Sequence, residues 1–249
     1  MYTIAISNSK GGTGKTTTAR ELAFILAKSY RILLIDLDPQ ASLTNSVTLS
    51  TAPTLSMAQV LNGKATLEQV TIAVKTRLDL APADIELSAS EKILREKVSA
   101  PYVLQKALKQ IAHKYDFAII DTVGANNPTV INALVAADSL IIPTRPESTD
   151  LKALVQFLEL VNEVKELPAS NLVRVGILPT QYVAQTSHHV DALSAIKKIH
   201  PKVFTPIGRT IKVSEAMTER LPLHEFEKDS PRALEYAQVT KEMVEWLKQ

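Results

Sequence analysis

The feature that most constrains the fold of this chain is a glycine-rich turn at residues 7–17, with the sequence SNSKGGTGKTT. A short apolar run, Tyr2–Ile6, precedes the turn, and residues 17–28 carry apolar side chains at helical spacing. A strand, a glycine-rich turn and a helix N-terminus form a phosphate cradle, because backbone N–H groups and the helix dipole converge on one anion. The turn therefore predicts a nucleotide-binding loop, in which Lys15 reaches the β- and γ-phosphates and Thr16 binds Mg²⁺.

The loop departs from the usual phosphate-loop pattern G-x-x-x-x-G-K-[ST] at its first position. Ser9 replaces the first glycine, and a second lysine, Lys10, stands at the loop entrance. The alternative interpretation is an accidental glycine-rich turn with two solvated lysines. The flanking strand and helix are the context that the motif requires, so they favour the nucleotide-binding loop.

The composition narrows the class of protein. The formal net charge is only +2, so any attraction to nucleic acid requires a local basic patch. The chain has no cysteine, which excludes disulfides and Cys-ligated zinc or iron–sulfur sites. Its apolar runs are far shorter than the roughly 20 residues of a membrane span, and its N-terminus reads as a strand rather than a signal peptide. We therefore expect a cytoplasmic protein.

Predicted strands and helices alternate along the chain. We expect strands at 2–6, 31–36, 78–82, 115–122, 138–143, 173–180 and 203–206. We expect helices at 17–28, 55–61, 86–97, 103–114, 151–165, 187–198 and 231–248, and either state at 67–74. This alternation predicts an α/β fold, a P-loop NTPase with a mostly parallel central sheet covered by helices on both faces. No linker or repeat interrupts it, so we expect residues 1–249 to form a single domain.

Two of the predicted buried strands end in aspartate. The first runs into Asp36-Leu37-Asp38-Pro39-Gln40, and the second ends at Asp121. Ligands bind at the carboxyl ends of parallel strands, and an apolar strand with a terminal aspartate is the Walker B pattern, whose carboxylate holds Mg²⁺. Each aspartate alone could be a strand-end cap, but downstream of a phosphate loop the pair predicts a metal-bound phosphate site.

These three motifs, taken in order, resemble the ParA/MinD family of deviant Walker-box ATPases. The resemblance rests on the lysine-first loop at 10–17, the D-x-D-P-Q segment at 36–40 and the strand that ends at Asp121. Two less specific segments, 80–91 and 208–216, agree with it. Two departures stand out: Gly208 occupies the position of a proline that usually lies beside the nucleotide base, and Gly124 follows the Walker B strand without the common proline.

The resemblance implies a homodimer that sandwiches two ATP molecules and hydrolyses them slowly unless a partner stimulates it. It implies catalytic roles for Lys10, which reaches across the interface, for Lys15, and for Asp38, which positions the attacking water. Mg²⁺ is held by Thr16, Asp36 and Asp121, partly through water. The residues implied in ATP binding are Lys10, Gly11, Gly12, Thr13, Gly14, Lys15, Thr16, Thr17 and Gln181.

The family divides by what the ATP-bound dimer binds, DNA in the ParA branch and membrane in the MinD branch. Residues 197–220 carry six basic residues against two acidic ones, which favours non-specific DNA binding, although an ordinary solvated surface is the alternative. The candidate DNA-binding residues are Lys197, Lys198, Arg209, Lys212 and Arg220. The C-terminal stretch 235–249 has two lysines against three glutamates, which is unlike a basic membrane-surface helix. We expect Leu234, Val239, Met243 and Leu247 to pack on the sheet instead.

The resulting hypothesis is a short ParA-type ATPase. It binds the nucleoid in its ATP state and positions a cargo, which could be a plasmid, a chromosome or a protein assembly such as a carboxysome. A separate ParB-like or cargo-adaptor protein would stimulate hydrolysis. The alternatives are a MinD-like membrane-associated regulator and a metabolic enzyme or electron carrier of the same fold, of which the iron–sulfur type is excluded because the chain has no cysteine. Asp116, Asp138 and Asp150 are interpreted as surface or cap residues.

Overall fold

The computed structural model describes residues 1–47, 54–96, 99–124 and 127–249, and a seven-stranded sheet lies at its centre. The strands are β1 (Tyr2–Ile6), β2 (Ile32–Leu37), β3 (Ile72–Lys75), β4 (Leu78–Ala81), β5 (Phe117–Thr122), β6 (Ser139–Thr144) and β7 (Arg174–Pro179). Their order across the sheet is β3-β4-β2-β5-β1-β6-β7, and every neighbouring pair is parallel except the antiparallel edge pair β3 and β4. The predicted α/β architecture with a mostly parallel sheet is confirmed.

The helices of the described residues cover both faces of this sheet. They are α1 (Lys15–Leu26), α2 (Ser42–Val47), α3 (Met57–Asn62), α4 (Leu67–Val70), α5 (Leu87–Arg95), α6 (Val103–Ile111), α7 (Pro128–Ala136), α8 (Ser148–Lys165), α9 (Ser187–Ile199), α10 (Lys212–Thr218), α11 (Leu223–Phe226) and α12 (Pro231–Leu247), with a 3₁₀ turn at Ala100–Tyr102. Within the described ranges, no helix is both long enough and apolar enough to cross a bilayer.

Alternating side chains of each strand divide the core between the two faces. Ile4 and Ile6 contribute to the apolar cluster that contains α1, α10, α11 and α12. Ala5, between them, contributes to the cluster that contains α7, α8 and α9. Because the central strands are buried on both faces, they are apolar throughout, and all six residues of β2 are buried. This is why continuous apolar runs in the sequence located the sheet.

The predicted last strand at 203–206 is wrong. Val203 forms only an isolated bridge with Ile177. The next two bonds of the parallel ladder would be donated by Pro179 and Pro206, which have no N–H, and the Ile207 N–H donates to the Pro179 carbonyl at 2.8 Å instead.

Further differences concern helices. The ambiguous stretch 67–74 forms both elements, first α4 and then the edge strand β3. Helices α2, α7, α10 and α11 were not predicted; α2, α10 and α11 are short, and α7 is mostly apolar and buried, so it shows no clear amphipathic stripe. The predicted helix 86–97 ends as α5 at Arg95, and Lys97 lies outside the described residues.

The C-terminal helix packs as predicted, with one exception. Val239 and Met243 are fully buried in the cluster shared with α1, and Leu247 is partly buried there. Leu234 is 58% exposed, so its predicted packing on the sheet is wrong. Tyr236, on the same helix, is buried in its place.

Candidate functional site

The register of the parallel strands brings the loop and the two strand-end aspartates together. Strand β5 lies between β1 and β2, and its Asp121 pairs with Ile6 on one side and with Asp36 on the other. Because Ile6 is followed directly by the glycine-rich turn, the turn and both carboxylates share one edge of the sheet. The sequence predicted this meeting point from strand ends alone.

Backbone conformation and neighbouring side chains fix the shape of the loop. Gly12 and Gly14 adopt left-handed conformations, with φ of 71° and 87°, and α1 begins at the next residue. The Thr180 hydroxyl donates to the Thr13 carbonyl at 2.8 Å, and the Gln181 amide donates to the Gly12 carbonyl at 2.8 Å. Gln181 thus contacts the loop that it was predicted to serve.

Lys15 is buried at the centre of the site. Its Nζ donates to the Lys10 carbonyl at 2.9 Å, and burial lowers the pKa of the amine, while the charges of Asp121 and Asp38 oppose that shift. A Cβ placed on Gly124 would lie 2.9 Å from this Nζ. Gly124 therefore leaves room for the lysine.

Asp36 is fully buried and fully hydrogen-bonded. One carboxylate oxygen accepts from the Asp38 N–H at 3.0 Å, and the other accepts from the N–H and the hydroxyl of Thr44 at 2.9 and 2.8 Å. Burial outweighs these bonds and raises the pKa of Asp36 to about 6. Asp38 lies outside this pocket, partly exposed, and accepts from the Gln40 N–H.

Asp121 has no such partners. Among the described residues, neither of its buried carboxylate oxygens has a hydrogen bond. Burial and the neighbouring charge of Asp36 raise its pKa well above the ordinary value, although the nearby Thr16 hydroxyl and the Lys15 charge oppose that rise. Two adjacent buried carboxylates, with Asp121 close to the Thr16 hydroxyl, fit a hard divalent cation such as Mg²⁺, which prefers oxygen ligands.

A cavity of about 380 Å³ lies over the loop and collects most of the predicted ATP-binding residues. Its walls are formed by Gly11, Gly12, Gly14, Lys15, Thr16, Thr17, Asp38, Ser42, Gly124 and Gln181. A second cavity of about 300 Å³ adjoins it, since Gly14, Thr17 and Gln181 line both. The second cavity adds apolar side chains, Ile207, Ile211, Val213 and Tyr236, of the kind that hold a nucleoside base. Sequence reasoning missed these residues, because nothing local distinguishes them from core positions.

Gly208, at the edge of the second cavity, has a structural reason to replace proline. A Cβ at this position would lie 1.8 Å from the Arg232 guanidinium, and the Gly208 N–H donates to the Glu235 carboxylate at 2.8 Å. A proline has no N–H for that bond. The Arg232–Glu235 pair, with its 2.6 Å bond, therefore occupies the space that a larger residue would need.

Lys10 is held within its own chain. Its Nζ donates to the Thr149 hydroxyl at 2.7 Å and pairs with the Asp150 carboxylate. Asp150 is fully buried, so its interpretation as a surface or cap residue is wrong. Although burial alone would raise the pKa of Asp150, the bonds from Arg145 and Lys10 hold it below its usual value.

The other two aspartates of that group do cap strand ends. Asp116 pairs with Arg31 at the surface, and Asp138 accepts from the Thr3 N–H at 2.7 Å. Both lie at the edge of the sheet opposite the loop, since each stands at the beginning of a parallel strand.

The predicted DNA-binding residues fall on two sides of the molecule. Lys197 and Lys198 are exposed on α9, whose Ile196 belongs to the cluster with α7 and α8. Arg209, Lys212 and Arg220 flank α10, on the other face of the sheet. The structure therefore brings only these three together. Among them, Arg209 also lines the second cavity, and Lys212 pairs with Glu215.

Known proteins resemble this chain over nearly its whole length. The AAA_31 family (AAA domain) matches residues 1–173. The sporulation initiation inhibitor protein Soj of Bacillus subtilis is 32% identical over 245 residues, which is 96% of this chain and 97% of Soj. The maintenance of carboxysome distribution protein A of Gloeothece citriformis is 29% identical over 235 residues, 91% of each chain.

Solved structures agree with this similarity. Apo McdA of Cyanothece has a TM-score of 0.91 and 26% identity, covering 98% of this chain and 99% of that one. Cobyrinic acid a,c-diamide synthase of Mycobacterium smegmatis, with a bound ATP analogue and magnesium, has a TM-score of 0.87 and 28% identity, covering 100% and 96%. That complex confirms ATP and Mg²⁺ as the cofactors expected of this kind of site. Together with the loop and the paired strand-end aspartates, these similarities confirm the predicted relationship: the chain belongs to the ParA/MinD family of deviant Walker-box ATPases, with the ParA/Soj-like partition and cargo-positioning proteins.

Proposed function

We propose that residues 1–249 act as one domain that binds ATP with Mg²⁺, dimerises, and in that state binds DNA without sequence preference to position or segregate a cargo. The observation that carries the proposal is the buried, unpartnered carboxylate of Asp121 beside Asp36 and Lys15. Such a group is costly unless a cation binds it, so the site is built for a metal-bound phosphate.

Each residue of the site has a role in ATP hydrolysis under this proposal. Thr16, Asp36 and Asp121 would hold Mg²⁺, and the bound ion would neutralise charge on the transferring phosphoryl group. Lys15 and the loop N–H groups bind the phosphates, and Asp38, which lines the cavity, orients the attacking water. Positioning and preorganised charge are the only devices in this arrangement, so turnover without a partner is slow.

Under this proposal, Lys10 links ATP binding to dimer formation. In the structure its amine is bound to Thr149 and Asp150 of its own chain and does not enter the cavity over the loop. For Lys10 to reach the phosphates of a second copy, this contact must break. ATP binding by two chains would compensate for the lost contact of Lys10 with Thr149 and Asp150, so the dimer forms only with ATP.

The DNA-binding surface is the α10 side, with Arg209, Lys212 and Arg220. Arg209 lines the second cavity, and Lys212 lies between two of its lining residues, Ile211 and Val213. Lys197 and Lys198 lie on the opposite face of the sheet. Proximity to the nucleotide lets the ATP state control the surface. The protein would then be nucleoid-associated, released when a ParB-like or cargo-adaptor protein stimulates hydrolysis.

The test is binding of the purified protein to non-specific duplex DNA with ATP, with ADP or with no nucleotide, across a salt series. We expect binding only with ATP, weakening steeply as salt rises. Binding to anionic liposomes instead of DNA would favour the MinD-like membrane regulator.

Charge-reversal variants then locate the surface. Arg209→Glu should weaken DNA binding strongly. It should also reduce the slope of log K against log salt concentration by about 1 or more, the loss of about one phosphate contact. Lys198→Glu is the matched control, since it makes the same charge change on the other face and should leave DNA binding within about twofold of wild type. Equal losses in both variants would contradict the α10 assignment. ATP-dependent dimer formation should persist in both.

A further inference from the structure

Two charged residues are buried in the helix that follows the nucleotide-binding loop. Arg20 and Glu21 are 0% and 1% exposed, and they pair with each other at 2.5 Å. Arg20 lies five residues beyond Lys15, or about 7.5 Å along the helix axis. No role in nucleotide binding has been assigned to either residue, and neither lines the nucleotide cavities.

The remaining bonds of this pair go mainly to one segment, residues 212–223. The Arg20 guanidinium donates to the carbonyls of Ala216 and Leu221, at 3.5 and 2.6 Å. The free oxygen of Glu21 accepts from the Leu223 N–H at 2.9 Å. The two side chains therefore hold both ends of the turn between α10 and α11.

The pair also reaches the aspartate-bearing side of the site. Arg20 donates through Nε to the carbonyl of Ser46, in the short helix that follows the D-x-D-P-Q segment. Two parallel contacts join the same elements: Arg220 donates to the Asn45 carbonyl at 3.3 Å, and the Thr17 hydroxyl contacts Met217 Sδ at 3.8 Å. The helix that starts at the phosphate loop, the segment after Asp38 and the 212–223 segment thus meet at one buried point.

Stability alone does not account for this arrangement. Replacing a buried ion pair by apolar residues of similar size is often neutral or stabilising, because two charges must be desolvated to form the pair. Here burial lowers the pKa of Arg20 and raises that of Glu21, so removal from water destabilises the charged form of each side chain. Unlike apolar packing, the pair favours a single placement of residues 216–223, because its hydrogen bonds to backbone groups form only in that placement.

We propose that Arg20 and Glu21 are positioning residues that couple nucleotide binding at the loop to the placement of the 212–223 segment. Movement of α1 or α2 when nucleotide binds is passed through this pair to Lys212 and Arg220. Only one part of the inference rests on the proposed function, namely that the coupling serves to control the DNA-binding surface. The coupling itself is a property of the chain without DNA.

The experiment compares hydrogen exchange of the full chain with and without a non-hydrolysable ATP analogue plus Mg²⁺. In the wild type, we expect nucleotide to slow exchange both in the loop, residues 10–17, and in the 212–223 segment. The double variant Arg20→Met/Glu21→Leu replaces the pair by apolar side chains of similar size. In this variant the loop response should persist, and the response of the 212–223 segment should disappear.

A matched control separates coupling from general loosening. Gln105 is a buried polar residue that donates to the carbonyls of Val135 and Ala169, away from α10. Gln105→Met removes the same kind of contact and should leave both exchange responses unchanged. If the double variant does not fold, Glu21→Gln keeps the side-chain shape and an acceptor for the Leu223 N–H while removing the charge, and it should reduce the segment response.

The outcomes distinguish this inference from the proposed function. A wild-type-sized nucleotide response at 212–223 in the folded variants would overturn the inference, as would a wild type with no response there. If wild-type protein binds DNA only with ATP, the double variant should bind it about 5- to 150-fold more weakly at equal nucleotide occupancy, the usual range for coupled sites. Wild-type protein that never binds DNA but keeps the exchange response would refute the proposed function and leave the coupling intact.

Discussion

Replacing Asp121 by asparagine should stabilise the nucleotide-free protein and abolish its response to Mg²⁺. The reason is the pair of buried carboxylates at the ends of β2 and β5. Burial raises the pKa of Asp36 from 3.8 to about 6, which corresponds to about 3 kcal/mol of destabilisation of its charged form. The pKa of Asp121, whose carboxylate accepts no hydrogen bond from the described residues, is raised as well. Asp121→Asn removes one charge of the pair without changing the shape of the side chain.

The sign of the effect follows from proton linkage. A carboxyl group whose pKa is raised on folding holds its proton in the native state at a pH where the unfolded chain has lost it. For Asp36 the free energy of unfolding therefore falls as the pH rises from about 4 to 6, and the full penalty applies above that range. The substitution should therefore stabilise the protein less at pH 5 than at pH 8, where it should add about 1–3 kcal/mol to the free energy of unfolding. Each kcal/mol raises the melting temperature by about 2–4 °C.

Thermal melts at pH 5 and pH 8, with and without Mg²⁺ and ATP, measure both effects. Ligand at 100 times its Kd stabilises the wild type by about 2.7 kcal/mol, and the Mg²⁺-dependent part of this should vanish in the variant. Asp116→Asn is the control, because its pairing with Arg31 lowers the pKa of Asp116 to about 2, and its loss should destabilise the protein at both pH values. An Asp121→Asn variant that is less stable than wild type at pH 8, or equally shifted at both pH values, would refute the reasoning.

Three further substitutions test separate parts of the site. Gly124→Ala places a Cβ 2.9 Å from the Lys15 amine, so a fluorescent ATP analogue should bind about tenfold more weakly; unchanged affinity would mean that the lysine can move aside freely. Asp38→Ala should abolish ATP hydrolysis in a phosphate-release assay while titration still shows ATP binding, and loss of both would contradict its assignment to the attacking water. Asp150→Asn removes the charge that holds Lys10, so sedimentation should detect the ATP-dependent dimer at lower protein concentration; a need for more protein would show that Asp150 supports the dimer instead.

The parts of the site that the sequence could predict are those whose geometry is local or follows from the fold class. The glycine positions of the loop reflect left-handed backbone at Gly12 and Gly14, and these are readable in eleven residues of sequence. Asp36 and Asp121 could be brought together on paper, because the carboxyl ends of parallel strands share one edge of the sheet. Neither inference needs knowledge of how side chains pack.

The parts that could not be predicted depend on contacts between distant segments. Asp150 looks like an ordinary helix-cap residue, and only the packing of α8 beside the loop, 140 residues away, buries it against Lys10. The single-residue bridge at Val203 depends on its register with β7, because Pro179 and Pro206 both fall where the ladder would continue. Arg20 and Glu21 look like a solvated pair on a helix, although α2 and the α10–α11 segment contact and bury them. Asp150, Arg20 and Glu21 are thus buried by segments that are distant in the sequence.

The buried charges of this protein fall into two kinds, and the difference bears on what each does. Glu21 and Asp150 have cationic partners, so their charge is compensated before any ligand arrives. Asp121 has no hydrogen bond within the described part of the chain, and the Thr16 hydroxyl and the Lys15 charge, which also faces Asp38, only partly oppose the rise of its pKa. Compensated charges fix the relative placement of segments, whereas an uncompensated carboxylate raises the energy of the nucleotide-free state. Because bound Mg²⁺ would remove that penalty, cation and nucleotide together gain more from this site than from a neutral one. The Arg20–Glu21 pair, on the helix that begins at Lys15, is placed to pass that gain to the 212–223 segment.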